Sequence, residues 1–205
     1  MEKKALVSEV HHRMKNNLQT IASLLRLQAR HTESSFAKQA LYDAINRILS
    51  MAIVHDLLAH QPREVVSAKE LVTKLVSLNL ENTLLPGQTV KPKFDIQDVS
   101  LNSEQASLVG LLVNELVHNA VKHAFPGNKS GDIHTALRLE EGCLYLIVED
   151  NGIGFPEDFT IRSSSHLGLK IVENIITKDL NGEFQITGER GVRCVMKFPY
   201  SANKG

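Results

Sequence analysis

Apolar residues recur every three to four positions through the first sixty residues. Leu6, Val10, Met14, Leu18, Ile21 and Leu25 form one stripe, and Leu41, Ala44, Ile45, Ile48, Ala52 and Leu58 a second, with no Gly or Pro between them. That spacing predicts two long amphipathic helices. The polar break His31-Thr32-Glu33-Ser34-Ser35 joins them into a helical hairpin over residues 1–61. Such a hairpin is too small to bury both stripes by itself. Pairing with a second copy into a four-helix bundle, a homodimer, is the economical solution, and packing onto the rest of the chain is the alternative.

Pro62 cannot continue the second helix, so residues 62–66 read as a linker. The pattern then changes. Ser67-Ala68-Lys69-Glu70 fits a capping box opening a helix to about Asn79. Val90–Ile96 reads as a strand, Asn102–Ala124 as a long helix, and Ile133–Leu139 with Leu144–Glu149 as paired strands. A helix from Leu167 to Lys178 and strands Glu183–Thr187 and Val192–Phe198 complete residues 67–205. The expected fold class is α+β: a helical hairpin followed by one sheet covered by helices.

Composition narrows the function classes. The chain has 205 residues, 42% hydrophobic and 22% charged, with 23 basic and 23 acidic side chains. It is an ordinary globular sequence whose balanced charge gives no reason to expect direct nucleic-acid or anionic-membrane binding. Cys143 and Cys194 are too far apart in sequence, and too isolated from other ligands, for a disulfide framework or a zinc site. No apolar run is long enough to span a membrane and the N-terminus has no signal-peptide core, so a cytoplasmic setting is expected.

Three segments carry chemistry. In Asn114-Glu115-Leu116-Val117-His118-Asn119-Ala120-Val121-Lys122-His123, helical spacing puts Glu115, Asn119 and Lys122 within roughly 60° of one another. Val113, Val117, Ala120 and Ala124 then fall on the opposite side, available to a sheet. The amide suits a place among Mg²⁺ ligands and the lysine suits phosphate. Asp150, at a strand end beside Gly152 and Gly154, can accept from an amino group while the glycines admit a flat ring. Ser163-Ser164-Ser165-His166-Leu167-Gly168-Leu169 would cap a helix whose N-terminus favours phosphate. Residues 151–166 have the small, polar composition of a lid.

In this order and spacing the three segments resemble the N box and the two glycine boxes of the GHKL superfamily of ATP-binding domains. The resemblance covers roughly residues 67–200 and implies ATP·Mg²⁺ held between the long helix and the lid. It places Asn119 on the metal, Asp150 on the adenine amino group, Lys122 and His123 near the phosphates, and Glu115 as the acid/base carboxylate. Gly152, Gly154, Gly168 and Leu169 would line the nucleotide. Two positions depart from the pattern: His166 stands where a Gly is usual, and Gly191-Val192 replaces a Gly-Thr pair, which predicts weaker nucleotide binding.

Upstream, Glu9-Val10-His11-His12-Arg13-Met14-Lys15-Asn16-Asn17 closely resembles the phosphoacceptor box of sensor histidine kinases of the His-Arg-x-Lys-Asn subgroup. It opens within ten residues of Met1, so either an excised core or a stand-alone kinase fed by another protein is expected. Relative to the apolar stripe, His12 points outward, whereas His11 lies at its margin. His12 is the expected nucleophile, since a neutral imidazole is available near its ordinary pKa of about 6.5. The resemblance implies autophosphorylation on His12 and transfer to an aspartate of a response regulator, with Lys15 and Asn16 near the docking face. Two rivals are a GHKL-type serine kinase, which leaves the His box unexplained, and a catalytically degenerate dimeric scaffold that binds a regulator, which rests on the two departures.

Overall fold

The computed structural model describes residues 2–60, 65–84, 86–127, 130–155, 167–188 and 190–201. Helix α1 (Glu2–His31) and helix α2 (Ser35–Ala59) form the expected hairpin. The break is narrower than the sequence indicates: Ser34 caps α2, its hydroxyl accepting from the Ala37 N–H at 3.3 Å.

The seam between the two helices takes in only part of the predicted stripe. Ala22 and Ala29 are buried there, Ser8 donates to the Ala59 carbonyl at 2.7 Å, and Lys15 pairs with Asp56 at 2.6 Å. Small and polar residues let the helices approach closely. Most of the stripe stays on the outside, with Leu6 63%, Val10 50% and Met14 42% exposed, while Leu18 and Leu25 are half-buried. An apolar row on the surface of one chain is what association with a second copy would cover. Packing on the same chain also occurs, at the other helix: Val54, Leu57 and Leu58 of α2 enter the main core.

The expected linker 62–66 ends sooner. Val65 and Val66 belong to strand β1 (Val65–Ser67), which pairs antiparallel with β3 (Ser100–Asn102), and Val66 and Leu101 are both buried. Three-residue strands are too short to show periodicity, so sequence alone does not reveal them. Residues 61–64 lie outside the described residues. Helix α3 (Ala68–Thr83) starts at the predicted cap, where the Ser67 hydroxyl accepts from the Glu70 N–H at 3.1 Å. It runs one turn past Asn79, because buried Leu80 still faces the core and the Asn79 amide finds partners in the Leu75 carbonyl and the Asn114 side chain.

The main sheet has five strands: β2 (Thr89–Ile96), β4 (Ser130–Glu140), β5 (Cys143–Asp150), β6 (Glu183–Thr187) and β7 (Arg193–Pro199), in spatial order β2-β4-β5-β7-β6. All neighbours are antiparallel except β2 and β4, whose parallel pairing follows from the crossover through helix α4 (Ser103–His123). Pro92 is accommodated because β2 is an edge strand. Alternate residues of β5 and β7 are buried, so one face of the sheet meets the helices. Val113, Val117 and Ala120 of α4 are buried in that layer, as the helical spacing predicts. Helix α5 (Leu167–Asn174) continues as a π-helical turn, Ile175–Asp179.

One contact in the hairpin seam is titratable. The Nδ1 atoms of His11 and His55 lie 3.0 Å apart, so they share a single proton. Burial, with the neighbouring His11, lowers the His55 pKa below its ordinary value. A histidine depressed on folding contributes stability that is present above its unfolded pKa of about 6.5 and is lost as pH falls below it. The melting temperature should therefore fall between pH 7.5 and 5.5, and His55→Gln should flatten that slope; equal slopes for the two proteins would refute the assignment.

Candidate nucleotide and phosphoacceptor sites

Helix α4 carries the site because two of its faces have different tasks. One packs on the sheet; the other turns Glu115, Asn119 and Lys122 toward α2 and α5. A cavity of about 290 Å³ opens between α4, the ends of β5 and β7, and α5. Its apolar wall includes Leu116, Ile153 and Leu169, and Asn119, His123 and Asp150 supply its polar atoms. Many apolar contacts with few convergent polar groups suit an aromatic ring.

Asp150 ends β5 and is only 5% exposed. One of its oxygens, Oδ1, accepts from the backbone N–H groups of Gly152 at 2.9 Å and Val192 at 3.2 Å. Burial raises its pKa above the usual carboxylate range; these two bonds oppose the rise and the nearby Glu149 charge adds to it. The departure at Val192 thus does not leave Asp150 unsupported, since a backbone N–H does the holding. The same low-dielectric wall pushes the thiol of Cys194 up to about 12, keeping it protonated at neutral pH.

The glycines are close-packed. A Cβ at Gly152 would collide with the Ala124 carbonyl, and at Gly154, with φ of +72°, it would strike the Gly188 carbonyl. At Gly168, in the first turn of α5, it would lie 2.8 Å from Glu115 Oε2 and 3.3 Å from Asn119 Nδ2. Buried Leu169 follows it and lines the cavity. The lid expectation lies mostly on residues 156–166, outside the described residues, together with Ser163, Ser164, Ser165 and His166.

Beside this cavity, and sharing Asn119 and His123 with it, a second space of about 340 Å³ lies between α2 and α4. Here sequence reasoning missed two residues of α2, Arg47 and Asp43, and gave no role to His118. Arg47 of α2 forms a bidentate pair with Glu115, both contacts 2.8 Å, and Glu115 is 4% exposed. Asp43 of α2 receives His118 Nε2 at 3.1 Å and Lys122 Nζ at 3.4 Å. Asp43 and Arg47 stand four apart on one helix, which reads as an ordinary intrahelical pair; nothing in the sequence says that each faces another element. The Nδ2 of Asn119 is buried without a partner. That orphaned amide, in a cradle that any Cβ at residue 168 would fill, fits an oxygen-rich ligand such as a polyphosphate with a divalent cation.

His12 and His11 separate as expected. His11 is half-buried in the hairpin seam against His55, whereas His12 is exposed, with the His60 ring beside it edge-to-face, centroids 5.3 Å apart. His60 Nδ1 donates to the Asp56 carbonyl at 2.7 Å, which fixes its tautomer. Asn16 is also exposed, and Lys15 is engaged by Asp56.

Two family models match the chain: that described as "Histidine kinase" over residues 9–83, and "Histidine kinase-, DNA gyrase B-, and HSP90-like ATPase" over residues 104–202. The chain belongs to the histidine kinase family. Among its relatives, the sensor histidine kinase PdtaS of Mycobacterium tuberculosis is 33% identical over 203 residues, covering 97% of this chain and 40% of that protein. PdtaS of Mycolicibacterium smegmatis is 35% identical over 184 residues, covering 89% of this chain and 36% of the relative. The chain thus spans about 40% or less of the length of these relatives. The histidine kinase domain of a blue-light activated histidine kinase from Erythrobacter litoralis shares the fold, with a TM-score of 0.68 over 98% of this chain and 95% of that one at 20% identity. The kinase core therefore combines a helical hairpin with a GHKL-type ATPase domain, and no helix among the described residues is long and apolar enough to cross a membrane.

Ionised Asp150 opposes folding at neutral pH, because its folded pKa is raised, and the cost disappears below its unfolded value of about 3.9. Asp150→Asn preserves the acceptor for Gly152 and Val192. Its melting temperature should exceed that of the wild type at pH 7, with the difference shrinking toward pH 4; a lower value at pH 7 would contradict this.

Proposed function

We propose that this chain is the catalytic core of a two-component sensor kinase that phosphorylates His12 from ATP and passes the phosphoryl group to an aspartate on a response regulator. The observation that carries this reading is the exposure of His12 on a hairpin joined to a histidine-kinase ATPase domain, while its neighbour His11 is engaged in the seam.

In this reading adenine enters the smaller cavity and its amino group donates to Asp150. Asp150 is already held by two backbone N–H groups, so no reorganisation is needed on binding. The phosphates extend past Asn119 toward Lys122, His123 and the N-terminal end of α5. A bound Mg²⁺, with Asn119 among its ligands, would neutralise charge on the transferring phosphoryl. His12 attacks with a neutral ring nitrogen, bonding to phosphorus as the bond to the ADP oxygen breaks; its N–H proton passes to solvent. Glu115 is the acid/base candidate of the sequence reading, but Arg47 engages both its oxygens, so it serves here to hold α4.

His60 lies thirteen residues beyond Arg47 on the same helical path, about 20 Å at 1.5 Å per residue. His12, beside His60, is therefore displaced along the hairpin from the phosphate end of the site on the same chain, and transfer within one chain requires the contact between α2 and α4 to shift. The exposed row of Leu6, Val10, Met14 and Ile21 supports a homodimer through the hairpin, and the exposed face bearing His12 and Asn16 is where a receiver domain would dock.

With ATP·Mg²⁺ the chain should acquire an acid-labile, base-stable phosphate that is absent from His12→Gln; an acid-stable label, or one retained by that variant, would sink the proposal. Asp150→Asn should weaken adenosine binding by about tenfold or more, measured by calorimetry. A Val10→Glu, Ile21→Glu double variant should halve the mass seen by light scattering; a wild type that is already monomeric would remove the dimer from the account.

A further inference from the structure

The space between α2 and α4 contains a carboxylate where an anionic ligand is expected. Asp43 reaches from the hairpin to His118 Nε2 and Lys122 Nζ, while Gln39 donates to the same Oδ1 at 2.7 Å. His118 is fixed for this role, with Nδ1 close to the Asn46 amide and the Thr83 hydroxyl, each at 3.4 Å. Burial pushes the Asp43 pKa up, but the hydrogen bonds from His118 and Gln39 and the charges of Lys122 and His118 outweigh it and hold the carboxyl well below the usual range. Asp43 is thus an anion throughout the physiological range.

We propose that Asp43 is a built-in competitor of the nucleotide phosphates for Lys122, so that ATP binding and docking of the hairpin on the nucleotide domain oppose each other. The inference rests on the ATP reading above, which puts Lys122 beside the phosphates. Its own support is the charge arrangement of the chamber. Arg47 is matched by Glu115 and Lys122 by Asp43, so an entering polyphosphate meets two carboxylates along with the two cations. A phosphate oxygen can take Lys122 only as Asp43 releases it. By reciprocity, whatever nucleotide gains on losing the Asp43 contact equals what docking loses when nucleotide is bound. The docked arrangement also keeps the phosphate end about 20 Å along α2 from His12. The same ligand that supplies the phosphoryl group thereby loosens the contact that keeps it from its acceptor.

The test is calorimetric titration of the whole chain with ATP·Mg²⁺ and, separately, with adenosine. Asp43→Asn should tighten ATP binding by about threefold to tenfold, the scale of one partly screened charge contact. Adenosine affinity should stay unchanged, which also reports that the pocket remains folded. Asp43→Ser should act in the same direction. In a Lys122→Met background the gain from Asp43→Asn should vanish. Unchanged or weaker ATP binding in both Asp43 variants overturns the proposal, as does an equal gain for adenosine or a gain that survives loss of Lys122. Wild-type protein that binds neither ligand overturns the nucleotide reading and the competition with it.

Discussion

The bidentate contact between Arg47 and Glu115 decides how the two halves of this protein meet. A carboxylate that is 4% exposed, matched edge to edge by a guanidinium that is 21% exposed, is costly to leave unpaired: losing one partner of a fully buried pair typically costs about 3–5 kcal/mol, and this half-buried one costs less. Forming it is much less rewarding, because desolvation cancels most of the attraction. The pair is therefore better understood as a fixer of orientation than as a source of stability. It sets α2 at one height on α4, so that Asp43, one turn away, meets His118 and Lys122, and the adjacent Asn46 meets His118.

The nucleotide cavity follows a different principle. Its polar anchor, Asp150, is destabilising in the ionised form and is tolerated because backbone N–H groups, which only a proline substitution would remove, hold it. Close-packed glycines around it bring main chain where any side chain would intrude. Together these make a recess that is apolar over most of its wall and specific at one edge, so that it can recognise a ring by shape and one donor.

Much of this arrangement is legible in the sequence where a period or a turn signal carries it. The helical hairpin, the five strands of the main sheet and the opposed faces of α4 follow from spacings of 3.6 and 2, and Asp150 from its position between an apolar strand and two glycines. The strands β1 and β3 escape because three residues cannot display a period, and the extension of α3 because Asn79 is buried by partners remote in sequence. The hairpin seam is partly misread for a physical reason: most of the apolar row of α1 marks where a partner would pack, with only Leu18 and Leu25 half-buried, while the intrachain contact relies on Ala22, Ala29 and polar pairs that carry little hydrophobic signal. Asp43 and Arg47 are illegible for the same reason, since the charges that give them meaning stand about seventy residues away.

The order of the strands has a consequence for how the chain is built during synthesis. Every partner of α1 in the seam is within about fifty residues, so the hairpin can close early, with little loop entropy to overcome. The central strand β5 must wait for β7, whose residues emerge some fifty positions later. Until then one edge of β5, rich in Leu, Ile and Val, has no neighbour and is open to pairing with another chain. Nascent chains stalled between residues 151 and 192 are thus the aggregation-sensitive species, and a folded hairpin gives them no protection, because it covers the opposite end of the molecule's assembly order.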